Sequence, residues 1–317
     1  MLLLFARSVA GVVEILLMIA LGYLLTNLGW FNESSSKLIA RLVTQVALPA
    51  YMAYTIISKF TFKRLINTLP DLRFPVVSMM ILFGVSIIVA KVLHIKKSHK
   101  GLFESMFFNS NTVFVGLPVN VALFGAAKSL PYVLVYYMAN TTIFWTLGVY
   151  LIQRDGQGDY HFSLGQTLKK VFSPPLLGFM VGVVLVLLKI QLPQFIMADL
   201  NYIGGLTVPL SMIFIGIAIA NVDLHDLTIN RGSLGILFGR FILAPALMSL
   251  LVLPTGMPVM MKQVFIIQSA MPVMTNAPVV SKLYGADSSF AAVMVTESTL
   301  LSLLVIPILM LLLNASH

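Results

Sequence analysis

Apolar windows of ~20 residues recur along the whole chain, separated only by short polar breaks, and a window of that length is what an α-helix needs to cross a bilayer. The approximate windows are 3–27, 38–58, 74–94, 102–125, 131–152, 166–188, 199–221, 233–253, 261–284 and 289–313. This pattern predicts an all-α integral membrane protein with ten transmembrane helices. Composition agrees: 59% of residues are hydrophobic and 10% charged, and the mean hydropathy is +0.97, outside the range of soluble domains.

The chain has no cysteine, which removes disulfides, thiolate metal sites and cysteine nucleophiles. The first window is too long for the apolar core of a signal peptide and carries Glu14 at its centre, so it is read as the first span. Glu14 and Arg7, two turns apart, are expected to pair within that helix or at the interface. The net charge of +9 is accounted for by basic residues flanking membrane spans and by contact with lipid; no nucleic-acid partner is expected. The basic stretch "KVLHIKKSHK" at 91–100 and the loop up to 170 argue for the cytoplasmic side, whereas "SKFTFKRL" at 58–65 argues against them. The balance favours both termini outside, in a bacterial-type cytoplasmic membrane.

The longest hydrophilic break, "QRDGQGDYHFSLG" at 153–165, falls near the midpoint. At an offset of 160 residues, Gly22 meets Gly182, Pro49 meets Pro209, Pro118 meets Pro278 and Gly125 meets Gly285. Two five-helix repeats follow, 1–152 and 166–317, joined by a cytoplasmic loop at 153–165. An odd number of spans per repeat makes the second enter from the opposite side. Inverted repeats are a common architecture of secondary transporters, whose substrate site lies near the midplane where discontinuous helices meet.

Span four carries "NSNTVFVGLPVN" (109–120) in its middle, and span nine carries "QSAMPVMTNAPVV" (268–280) at the equivalent place. Pro272 and Pro278 lack a backbone N–H and clash with the preceding turn, so a straight helix through them is not expected. In hydrocarbon an unpaired backbone group costs several kcal/mol, so such a break survives only inside protein or beside a wet cavity. Broken helices 4 and 9 are therefore expected to cross, with half-helix N-termini pointing into a cavity and favouring an anion. Asn109, Ser110, Asn111, Thr112, Gln268, Pro272, Thr275 and Asn276 are the candidate substrate-binding residues, with Asn111 the direct donor. The prolines at 49, 209, 245 and 307 are read as kinks in packed helices.

"NTVFVGLP" at 111–118 resembles the fourth-helix motif of the auxin efflux carriers, the PIN-formed proteins and their bacterial relatives, and "QSAMP" at 268–272 is similar to their ninth-helix motif. The likeness extends over the whole chain in span number, repeat pattern and the central hydrophilic break. It implies a scaffold of helices 1, 2, 6 and 7, a transport domain of helices 3–5 and 8–10, elevator-type movement, and a homodimer through the scaffold helices. It places Asn111 near the substrate carboxylate and Pro272 at the ninth-helix crossover. Plant members carry a proline where this chain has Ser110, which turns the expected substrate from auxin towards small mono- or dicarboxylates such as malate or malonate.

Ionisable residues within spans are functional candidates by default. Glu297 is either a proton-coupling carboxyl or a structural one, and Arg240 a counter-charge for an anion or a partner of Glu297. The expected coupling ion is H+, with Na+ the alternative, and no cofactor. The five histidines, at 94, 99, 161, 225 and 317, show no metal-ligand spacing, and there is no phosphate loop with a Walker lysine. No nucleophile, base or metal constellation suggests an enzyme. The chain reads as a secondary carrier of a small organic anion; the competing class is a non-transporting membrane sensor on the same fold, which would be expected to carry an appended signalling domain.

Overall fold

The computed structural model describes residues 2–59, 69–156, 172, 174–221 and 230–315. Most of the central loop at 153–165 lies outside them, as do the side chains of Arg7 and Glu14. The described chain is almost entirely helical. In order it forms α1 (Leu2–Asn27), α2 (Glu33–Leu42), α3 (Leu48–Lys59), α4 (Arg73–Val92), α5 (Lys100–Phe108), α6 (Leu117–Phe124), α7 (Ala126–Ile143) and α8 (Val149–Asp155). The second half contributes α9 (Pro174–Leu187), α10 (Gln194–Gly205), α11 (Thr207–Ala220), α12 (Arg231–Phe238), α13 (Ala244–Val252), α14 (Val259–Ser269), α15 (Ala277–Tyr284) and α16 (Ser288–Ala315).

Wide π turns join α2 to α3 at Val43–Ala47, α7 to α8 at Phe144–Gly148, and α12 to α13 at Gly239–Leu243. Four continuous helical stretches among the described residues, Pro70–Val92, Gln194–Ala220, Arg231–Val252 and Ser288–Leu313, are long and apolar enough to cross a membrane. Their outward faces carry side chains such as Leu250, Leu304 and Leu312, each more than half exposed. A soluble protein would bury residues of this kind; hydrocarbon accepts them.

Small residues decide which helices lie side by side. Gly22 on α1 faces Gly216 on α11 so closely that a Cβ on either would run into the other backbone. On α9, Gly178 likewise admits the α3 backbone at Pro49, and Gly182, four residues on, admits the Ile56 side chain beside the Ala53 carbonyl, a small-xxx-small contact. Thus α1 packs along α11, and α3 along α9 and α10. The short α2 also packs on α11, and the other helices pack around α5 and α14, with α5 against α4 and α8, and α14 against α7 and α13. Fully buried Phe103, Phe107, Phe108, Phe144 and Phe265 fill the space between them.

The start of α5 is fixed from the end of α8. Asp155 accepts from the backbone N–H groups of Gly101 (2.9 Å) and Leu102 (2.7 Å), satisfying first-turn donors that have no partner within the helix. Arg154 of the same turn pairs with buried Glu104 at 3.2 Å.

Candidate functional site: the crossing of two broken helices

The fourth apolar window is not one helix. α5 stops at Phe108, residues 109–111 leave helical geometry, and a π turn at Thr112–Gly116 leads into α6. In the ninth window α14 stops at Ser269 and α15 begins only at Ala277. Pro278 sits in the first turn of α15, where a missing N–H costs nothing and the fixed φ suits the helix; Pro118 follows directly on the π turn, in the second turn of the half-helix that begins at Thr112. Both second halves end on a glycine with positive φ, Gly125 at 78° and Gly285 at 72°.

The two breaks meet. Ser110 and Val273 pair as a single antiparallel bridge, and the Asn111 N–H donates to the Pro272 carbonyl at 2.8 Å. Backbone groups freed by the breaks find partners on three other helices, as a water-poor interior requires. From α7, Asn140 accepts from the Ser110 N–H (2.9 Å) and donates to the Ser110 carbonyl (2.8 Å), matching both groups with one amide. From α16, the Ser298 hydroxyl accepts from the Val273 N–H at 3.0 Å. From the π turn after α12, Arg240 donates to the carbonyls of Met271 (Nε, 3.1 Å; Nη2, 3.0 Å), Phe107 (Nη1, 3.3 Å) and Ser269.

Beside the crossing lies a cavity of about 230 Å³. Asn111, Thr112, Thr275 and Asn276 line it from the breaks, Thr44 and Gln45 from the π turn after α2, Pro174 and Pro175 from α9, and Tyr137, Thr141 and Trp145 from α7 and the turn after it. No lining residue carries a full charge. Asn111 has a double role. Its Oδ1 accepts from the Phe114 N–H at 3.1 Å, capping the start of the second half-helix. Its Nδ2 is buried without a protein partner, as is the Thr141 Oγ1. Both residues line the cavity, and Asn111 stands at the N-terminus of the second half-helix, whose dipole also favours negative charge. Asn276 holds the corresponding position before α15 and makes no side-chain cap.

Of the residues singled out from the sequence, Asn111, Thr112, Thr275 and Asn276 come together on the cavity wall. Asn109, Ser110, Gln268 and Pro272 do not line it and are fully enclosed behind the crossing. Asn109 Nδ2 turns back onto the Ser105 carbonyl at 3.1 Å. Gln268 packs against Gly116, where a Cβ would collide with its amide. Arg240 and Glu297 are not on the wall either. The Arg240 hydrogen bonds go to main-chain carbonyls and not to Glu297; Glu297, 9% exposed, lies against Ser233 in the first turns of α12.

The sequence reading missed Asn140 and Ser298, which brace the breaks, and Tyr137, Thr141, Trp145, Thr44 and Gln45, which complete the cavity. The polar patch "YYMANTTIFWT" at 136–146 was the available signal for the α7 residues. Nothing in the stretch around 44–45 sets those two apart from other polar residues near a membrane surface. Among the described residues no cluster of three His, Asp or Glu side chains is suited to hold a metal.

Long apolar helical stretches, with interrupted helices meeting beside an uncharged polar cavity, define an all-helical integral membrane protein. A family model described as membrane transport protein matches residues 8–310, and the chain belongs to that family, the PIN-like auxin efflux and membrane transport proteins. It is similar to an uncharacterised transporter of Methanocaldococcus jannaschii, 27% identical over 302 residues that cover 93% of this chain and 95% of the relative. A second relative, an uncharacterised transporter of Methanothermobacter thermautotrophicus, is 25% identical over 319 residues, covering 96% of this chain and 98% of its own.

Proposed function

We propose that this protein is a secondary transporter that carries a small organic anion, a mono- or dicarboxylate of the malate or malonate class, across the cytoplasmic membrane. The observation that carries the reading is the unpaired Asn111 Nδ2 at a half-helix N-terminus in an uncharged cavity. Neutral donors and helix dipoles attract a carboxylate, yet let it go, whereas a fixed cation on the wall would hold it too tightly to release. The cavity lies between elements of two packing groups. Its Thr44, Gln45, Pro174 and Pro175 wall belongs to the turn after α2 and to α9, which pack with α3 and with each other, and its other wall to the crossing and α7. This supports an elevator-type movement, in which a transport domain of spans 3–5 and 8–10 slides against a scaffold of spans 1, 2, 6 and 7, within ten spans arranged as two inverted repeats. The scaffold is also where a homodimer would join.

The deciding experiment is uptake of a panel of labelled mono- and dicarboxylates into proteoliposomes holding the purified protein. Saturable uptake of a carboxylate, lost in Asn111→Ala, is the expected result. A folded wild-type protein that moves no member of the panel sinks the substrate class. Coupling is proposed to be to protons through Glu297, the carboxyl buried beside Ser233. Glu297→Gln is expected to abolish uptake driven by a pH gradient and to leave exchange intact; unchanged pH-driven uptake returns Glu297 to a structural role.

A further inference from the structure

Two broken helices that cross leave two kinds of ends. The second halves, α6 and α15, begin at the cavity and present N–H groups; the first halves, α5 and α14, stop behind the crossing and present carbonyls. Half-helix C-terminal ends and unwound carbonyls are the groups with which carriers of this architecture hold small cations. Here those carbonyls already have a cation. Arg240, 0% exposed, donates to Phe107 next to the end of α5, to Ser269 at the end of α14, and to Met271 within the second break. None of the Arg240 hydrogen bonds goes to a carboxylate, so the guanidinium keeps its positive charge in surroundings where a charge is poorly screened.

We infer that Arg240 is a resident cation of the crossing: a tethered guanidinium that holds the carbonyl ends of both first half-helices and acts, through them, as a positioning residue for the anion site on the other side. It never touches the substrate. It fixes the Ser110–Val273 bridge, and hence Asn111 and the half-helix N-termini, and it adds long-range positive potential to a cavity without charged walls. A freely exchanging Na+ at these carbonyls is thereby replaced by a side chain, and uptake is expected not to depend on Na+ there. Planar geometry explains the residue type. A guanidinium offers five donors in one plane and reaches three separate carbonyls, whereas an ammonium offers three donors at one point.

The transport half of this inference rests on the proposed carrier function; the structural half does not, and the experiment separates them. Wild type, Arg240→Lys and Arg240→Ala are purified, and thermal melting is followed with and without added guanidinium or sodium ion. Melting requires no substrate, so a failure to find a transported carboxylate leaves this arm intact. Arg240→Lys keeps the charge but reaches fewer of the three carbonyls, and is expected to fold and to melt between Arg240→Ala and wild type. Arg240→Ala is expected either not to fold or to melt lower and be restored by guanidinium, which fits the space and donors removed. In proteoliposomes, folded Arg240→Ala should show KM for the carboxylate raised by roughly tenfold or more, with Arg240→Lys within a few fold of wild type. Wild-type uptake should be unchanged when sodium is replaced by choline. The inference is overturned by a lysine variant as damaged as the alanine variant, or by a folded alanine variant that binds anion as wild type or ignores guanidinium. Sodium-dependent uptake by wild type overturns it as well.

Discussion

Asn111 caps a half-helix with one end of its amide and, in the proposed function, meets the carboxylate with the other, so two substitutions separate them. Asn111→Ala removes a donor to a charged acceptor, worth about 1.5–3 kcal/mol, or roughly a 10- to 150-fold loss of affinity. It also removes the cap on the Phe114 N–H, a further stability loss of about 1 kcal/mol. Asn111→Asp keeps the capping oxygen, deletes the donor and places a negative charge where the substrate carries its own. Its melting temperature should stay near wild type while carboxylate binding, read by titration calorimetry, disappears. If Asn111→Asp binds the carboxylate normally, Asn111 is a helix cap and nothing more.

Asn140 is the residue-scale counterpart behind the site. Its amide meets both the N–H and the C=O of Ser110. Asn140→Leu has nearly the same volume but leaves the Ser110 N–H buried and unpaired, at about 1–3 kcal/mol, while the Ser110 carbonyl keeps the Thr112 N–H at 2.9 Å. A drop in thermal stability of that order is the expected outcome, and a variant as stable as wild type would show that the break does not rely on α7.

At the scale of elements, the breaks were legible because four polar residues and two prolines have no other use in the middle of apolar windows. Their facing was not. Three consecutive non-helical residues entering a π turn cannot turn every side chain to one wall, and here Asn111 and Thr112 line the cavity while Asn109 and Ser110 are enclosed behind it. The braces were hidden for a related reason: one asparagine or serine in an otherwise apolar helix looks the same whichever neighbour it meets. Arg240 was visible as a buried charge, but its partners are main-chain carbonyls, which carry no trace in residue identities. The α3–α9 contact rests on glycines that a sequence shows plainly and whose partner only the fold reveals. Gly178→Val pushes a side chain against the Pro49 carbonyl, and overpacking of this kind costs about 1–3 kcal/mol. Reduced melting temperature with the carboxylate specificity unchanged is expected, because Gly178 is not on the cavity wall.

Across the whole molecule, the proposed sliding of one helix group against the other would change the distance between the two cavity walls. The absence of native cysteine allows a direct check, in which Thr44→Cys and Thr112→Cys are combined and joined by a bifunctional thiol reagent. Cross-linking should stop uptake, and reduction of a cleavable linker should restore it; uptake that continues at full rate in the cross-linked protein means that the walls do not move apart.

The Ser110–Val273 bridge sets how such a movement can be divided. The segments that lack helical hydrogen bonds are ordinarily where a chain bends, but here the N–H groups of Ser110, Asn111 and Val273 all have fixed acceptors on other parts of the bundle. Their deuterium uptake should therefore be as slow as that of the helices on either side, and the interruptions in the fourth and ninth spans are joints that have been locked rather than hinges.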